Sequence, residues 1–212
     1  MEMLDIFDSN HNHIGIESKQ AVHEKGLWHQ VTGCIFIDST NNTIYLQYKS
    51  ASHNQVAHTN KIDISVGGHI LAGESVISGL RREIKEESSL NIKEEDLFYI
   101  GTRTINVDAT PTYKIREFCY MYLYDNKLNI DELHSMDDEV LYYISFDIDR
   151  LLEFITTNQE QIVGTTPFGK ETFNRSNFIK GYIDDKIYEQ LLLLAKSYIG
   201  NKQETTNNKL TK

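Results

Sequence analysis

The sequence predicts an α/β fold: an α/β/α sandwich in which a mixed β-sheet carries helices on both faces. Three observations support it. Strand-like apolar runs stand on both sides of a helix-patterned segment lying between Gly68 and Leu90. Two further amphipathic or apolar helical stretches follow near the end of the chain. The length of 212 residues suffices to bury a substantial core as one domain. That domain is expected over residues 1–200, with residues 201–212 forming a polar tail that frays.

In chain order, MLDIFD and HIGIES flank the turn-rich DSNHNH, which predicts an N-terminal hairpin extension over about residues 3–20. A polar connector leads to TGCIFID and TIYLQYK, and the Ser-Thr-Asn-Asn between them supplies the turn of a second hairpin. KIDISVGGH then brings the chain to the central helix. Beyond it, LFYIGTRTINV and KIREFCYMYLYD are β-rich runs joined by a turn containing Pro111, and YYISF is one more short strand. IDRLLEFITTNQ and DKIYEQLLLLAKSY carry helical patterning. Between them, PFGKETFNRSNF sets Phe168, Phe173, Arg175 and Phe178 on a loop able either to stack on a base or to pack on the sheet.

Composition argues against several classes of partner. A net charge of −10 opposes a general nucleic-acid or anionic-membrane surface, since both are met by basic patches. MEMLDIFDSN is acidic and lacks the apolar stretch of a signal peptide, and no apolar run approaches a membrane span; a cytoplasmic protein is expected. Cys34 and Cys119 lie within GCIFI and EFCYMYL, which favours buried thiols over a disulfide. Composition does not choose between a monomer and a homodimer.

The chemistry is concentrated in GHILAGESVISGLRREIKEESSL, from Gly68 to Leu90. Glu83, Glu86 and Glu87 follow Arg82 and share one helix face, because residues three and four apart are neighbours. Like charges at that spacing weaken a helix by about 0.2–0.5 kcal/mol per pair. A cation is needed beside them, and hard oxygen ligands suit a divalent metal such as Mg²⁺. The plainer alternative is a solvated acidic face. Ile77, Leu80 and Ile84 form an apolar stripe on the same helix, and Gly67, Gly68 and Gly73 let the entering loop bend tightly. Glu74 stands near the helix start, where the dipole favours a carboxylate, and it is a natural partner for Arg82.

This segment resembles the Nudix box of the Nudix hydrolase superfamily, G-x5-E-x7-R-E-U-x-E-E-x-G-U with U aliphatic. Gly68, Glu74, Arg82, Glu83, Ile84, Glu86, Glu87 and Leu90 fall on the pattern. Ser89 departs from it, standing where the family has the glycine that follows the helix end and wants a left-handed backbone. The resemblance implies an α/β/α sandwich and a pyrophosphohydrolase acting on a small-molecule diphosphate, in which a nucleoside diphosphate is linked to another group. It further implies Mg²⁺, with Mn²⁺ as the alternative ion, on Glu83, Glu86 and Glu87. Arg82 and Glu74 would support that set, and Gly68 would lie against the substrate. One box glutamate, or a later acid such as Glu117 or Glu139, would take the proton of the attacking water. Glu139, in MDDEVLYY, reads more simply as part of a solvated turn.

Outside the box, His23 with Gly26-Leu27-Trp28-His29, then LQYKS, then GGH, resembles the Nudix branch related to isopentenyl-diphosphate isomerase, over roughly residues 3–160. By that likeness His23, His29, His69 and Glu117 match a set of metal ligands, and Lys49 matches a basic position that contacts substrate phosphate. The two upstream histidines are six residues apart, one closer than the isomerase pattern, and Ile115 replaces a second strand carboxylate. A histidine network bracing the N-terminal segment would explain the same residues. The isomerases carry an essential Cys directly before the Gly-His pair; Gly67 stands there and has no proton to give. Their box is also typically degraded, whereas this one keeps every carboxylate. Hydrolysis is therefore expected over isomerisation, and over a non-catalytic nucleotide-binding module, which usually loses box carboxylates.

Overall fold

The computed structural model describes residues 2–50, 59–136 and 138–210, with side chains to residue 204. The chain begins with a hairpin of β1 (Met3–Phe7) and β2 (His13–Ser18), as its composition suggests. Asp8 ties the turn by accepting from the backbone N–H groups of Asn10 and Asn12 at 2.9 and 2.8 Å. The expected polar connector is instead a helix, α1 (Lys19–Lys25). Ser18 caps its start and Gly26, at φ 69°, ends it. Only Val22 and His23 are buried on it, too few for a helical period to stand out in the sequence.

The sheet is built around β3 (Trp28–Asp38). One edge of β3 pairs in parallel with β8 (Tyr113–Asp125), from His29 opposite Glu117 to Ile37 opposite Asp125. Its other edge meets three antiparallel partners in succession: β1, then β6 (Val66–His69), then β4 (Thr43–Lys49). β5 (Ile62–Asp63) pairs with β4, and β7 (Leu97–Thr110) closes the far side of β8. From β4 the sheet continues through β9 (Val140–Asp147), β10 (Gln161–Thr166) and β11 (Gly169–Asn174).

Both faces of β3 are covered, which explains why GCIFI reads as an unbroken apolar run. Cys34 and Phe36 turn to one face, where they pack with Leu80 and Ile84 of α2 (Val76–Ser88). Ile35 and Ile37 turn to the other, into a core with Leu151 and Phe154 of α3 (Ile148–Thr156) and Leu192 and Ala195 of α5 (Ile187–Leu210). A short α4 (Lys180–Asp184) leads into α5. The result is the mixed-sheet α/β/α sandwich.

One sequence expectation differs in detail, and one open alternative is decided. α5 continues as a helix past Asn201, where a frayed tail is expected to start, and Lys202 anchors it on Asp125 at 2.6 Å. PFGKETFNRSNF packs on the sheet: Phe173 and Phe178 are core residues and Arg175 donates to the carbonyls of Phe154 and Thr157, leaving Phe168 exposed. Cys34 and Cys119 are buried free thiols, as expected.

Candidate active site

The carboxylate helix is fixed before its charged face is considered. Ser75 caps the start of α2, and Ser89 ends it at φ 61° and ψ 6°, the left-handed geometry expected of the missing glycine. Leu80 and Ile84 bury one stripe, which aims Glu83 and Glu87 at Gly67 and Gly68; these lie in strand β6 and not in the expected loop, where only Gly73 takes a positive φ. A methyl on Gly68 would stand 2.1 Å from Cδ of Glu83, so only glycine leaves that carboxylate its place.

Arg82 lies against this face as the sequence suggests. Its Nε and Nη2 donate to the two Glu74 oxygens at 3.2 and 3.0 Å, and Nη2 donates to the His69 carbonyl at 2.7 Å. Its Nη1 donates to Glu83 at 2.8 Å and to Glu86 at 3.0 Å, so a cation already lies between two box carboxylates.

Lys49 and Glu139 differ from the sequence reading. The sequence reading sets Lys49 against substrate phosphate; it is instead buried, with its Nζ 2.8 Å from Glu87 and 3.0 Å from Glu139. Glu139 thus belongs to the box cluster and not to a solvated turn. Both corrections follow from the pairing of β4 with β9, where Lys49 stands opposite Val140 and draws the neighbouring glutamate in. Sequence reasoning also overlooks the Gly67 N–H, which donates to Glu87 at 2.9 Å, and the Tyr143 hydroxyl, which donates to the Glu87 carbonyl at 3.3 Å. The alternation in VLYYISF is the one signal that turns Tyr143 toward α2.

Burial sets the electrostatics. It pushes the Glu87 carboxyl up to about 8, Lys49 offsetting only part of the effect, and Glu83 up to about 7 despite Arg82. Burial works against the Lys49 ammonium, yet Glu87, Asp63 and Glu139 outweigh it and hold the group above its ordinary value. Arg82 and Lys49 thus leave the buried carboxylates short of positive charge, which a proton or a further cation would supply. The donor set, all carboxylate, fits a hard divalent ion.

A second cluster adjoins the first through His69. The ring nitrogens of His23, His29 and His69 lie within 4.8 Å of one another, with His23 Nε2 and His69 Nε2 at 3.0 Å. Nδ1 of His23 faces the Lys114 carbonyl at 3.1 Å, and Nδ1 of His29 faces that of Leu27 at 3.0 Å. Donation there leaves both Nε2 lone pairs turned into the cluster. His29 Nε2 is buried without a hydrogen-bond partner, and Glu117 is 3.7 Å from it. Burial holds His23 below its usual pKa and His69 well below, so both rings are neutral near pH 7. Glu117 therefore stands with the histidines.

The NUDIX domain family model matches residues 27–164, and the chain belongs to the Nudix family of pyrophosphohydrolase enzymes, which generally use divalent metals. An uncharacterized Nudix hydrolase of Clostridium acetobutylicum is 34% identical over 154 residues, covering 73% of this chain and 74% of its own. An isopentenyl-diphosphate Delta-isomerase of Serratia proteamaculans is 30% identical over 166 residues, covering 76% of this chain and 84% of its own. In fold, a crystal structure of a Deinococcus radiodurans protein superposes with a TM-score of 0.55 at 19% identity, over 74% of this chain and 91% of that one. No helix among the described residues is long and apolar enough to cross a membrane.

Proposed function

We propose that this enzyme hydrolyses a diphosphate bond in a nucleoside diphosphate linked to another group, with Mg²⁺ held by Glu83, Glu86 and Glu87. The observation that carries the reading is the intact carboxylate face of α2, closed around Glu87 by Lys49 and Glu139. When bound, the metal neutralises phosphate charge and lowers the pKa of water. Arg82, tied to Glu74, holds Glu83 and Glu86 in place. Gly68 leaves the Glu83 carboxylate its place, and Lys49 balances the charge at Glu87 and steadies Glu139. Glu139 is the more accessible of those two carboxylates and takes the proton of the attacking water.

An isomerase reading has the Serratia relative and the histidine cluster in its favour. Against it stands Gly67, which offers no proton donor where the isomerase likeness needs one. We further infer that His23, His29, His69 and Glu117 hold a second divalent ion such as Mn²⁺. Occupancy should fall on acidification to below the ordinary imidazole range, since burial holds His23 and His69 under it. Manganese electron paramagnetic resonance checks this: a His29→Ala protein that binds as many Mn²⁺ ions as the parent removes the second site. Phosphate release from a panel of nucleotide-sugars and dinucleotides, with and without Mg²⁺, tests the hydrolase. A panel on which no Mg²⁺-dependent cleavage is seen contradicts it.

A further inference from the structure

We propose that the N-terminal hairpin guards a nucleobase subsite on the sheet face beside the carboxylates, with His11 occupying the place of the base in the free enzyme. This deepens the hydrolase reading and rests on it for the position of the diphosphate. The hairpin and α1 precede the NUDIX match at residues 27–164, yet the hairpin tip reaches back onto that domain.

The observation is the environment of one exposed ring. His11 lies over Phe118 with ring centroids 4.1 Å apart, 35° from parallel. Trp28 stacks on Phe118 at 4.8 Å, and Phe7 closes the edge of His11 at 4.9 Å. Phe118, only 7% exposed, is thus covered largely by other aromatic rings. At the polar edge, the Gln30 amide donates to His11 Nε2 at 2.8 Å and to the Tyr120 hydroxyl at 3.2 Å, while that hydroxyl lies 3.3 Å from the same Nε2. A flat nitrogen heterocycle is therefore stacked on an aromatic floor and read along one edge by an amide and a phenol. These are the terms in which proteins recognise an unstacked base.

The location suits the rest of the substrate. Gln30 and Tyr120 lie on the α2 face of the sheet, in step with Cys34, Phe36 and Tyr122. Thr32, two residues beyond Gln30, is paired with Gly68, the residue pressed against Glu83. Two strand residues span roughly 7 Å, about the reach of a ribose between its base and its phosphate.

His11 is a replaceable occupant and not part of the core. It is exposed, and Asp8 holds the turn that carries it at φ 67°. Rotation of its side chain alone clears the shelf, a motion of picoseconds to nanoseconds for an exposed residue. An incoming base takes over the hydrogen bonds of His11 and, with a ring larger than imidazole, a wider stack on Phe118, so it gains on the exchange. A diphosphate without a base has nothing to exchange for them.

The test is isothermal titration of the full chain with Mg²⁺ and either ADP, GDP, CDP, UDP or inorganic pyrophosphate, together with NMR of the histidine rings. At least one nucleoside diphosphate should bind roughly tenfold or more tighter than pyrophosphate, the scale of one base–aromatic stack. It should also shift the His11 ring signals, which pyrophosphate leaves in place. Gln30→Ala and Phe118→Leu should bring that affinity ratio toward one, and His11→Ala should raise it. If Phe118→Leu fails to fold, Gln30→Ala and Tyr120→Phe carry the test. No preference over pyrophosphate, or a preference that these variants leave intact, overturns the proposal. Selective binding without cleavage of any derivative would sink the hydrolase reading alone, and cleavage without base preference would sink this one alone.

Discussion

Glu87 concentrates the tension that defines the site at the scale of single residues. It is 1% exposed, held by Lys49 and the Gly67 N–H, and pushed up to about 8 by burial. Glu87→Gln should still fold, because Lys49 keeps Glu139 as its counter-charge, and Glu86→Gln should also fold because Glu86 is half exposed. Turnover should nonetheless fall about 10²-fold or more in each, the scale of a lost acid–base or charge-stabilising group. Steady-state rates beside circular dichroism check this, and near-normal turnover in a folded Glu87→Gln protein contradicts the metal assignment. The raised carboxyls also set a pH dependence. Between about 4.5, the unfolded value, and 8, the folded metal-free protein holds protons at Glu83 and Glu87 that the unfolded chain has released. Its stability should therefore fall as pH rises through that window, while stabilisation by Mg²⁺ grows with pH. Thermal melts from pH 5 to 8.5 with and without Mg²⁺ decide it, and a metal-free Tm that climbs across the range would refute these environments. The box carboxylates were legible in the sequence because their spacing is local. The burial of Lys49 and the place of Glu139 were not, because both depend on β4 meeting β9, some ninety residues away in the chain.

Elements position these side chains through their ends. Ser89 adopts the left-handed geometry that the family fills with glycine, so the helix tolerates the substitution at a cost of about 1 kcal/mol. Ser89→Gly should recover roughly 0.5–1 kcal/mol in urea unfolding, less a small loss from its bond to the His134 carbonyl at 3.0 Å. A destabilised Ser89→Gly protein would mean that this cap matters more than the backbone strain. Gly68→Ala tests the opposite end of the site. Its methyl would displace the Glu83 carboxylate, so activity should drop by about tenfold or more while far-ultraviolet circular dichroism stays unchanged. Helix α2 and the flanking strands could be read from the chain because cap, stripe and turn signals agree there. Helix α1 could not, since its seven residues bury two side chains and its main contacts are to β1, β2 and β8.

The molecule as a whole brings three distant pieces to one face of a sheet: the β1–β2 hairpin, the α2 box and the β4–β9 pair. β3 makes this possible by pairing with β1, β6 and β4 along one edge and β8 along the other. Composition and periodicity pointed to the sandwich, but they carry no record of which strands become neighbours. The histidine cluster shows the same limit: residues 23, 29 and 69 meet only because α1, β3 and β6 do. We place in that assembly the transfer of phosphoryl groups to water, and not the movement of protons across a carbon–carbon double bond. Phosphorus-31 NMR of the enzyme with Mg²⁺ follows both reactions directly, given isopentenyl diphosphate in one tube and a panel of nucleoside-diphosphate-linked compounds in others. At least one nucleoside diphosphate derivative should be cleaved into two phosphate-bearing products, and no dimethylallyl diphosphate should form. Rapid formation of dimethylallyl diphosphate, with every nucleoside derivative left intact, would contradict that assignment.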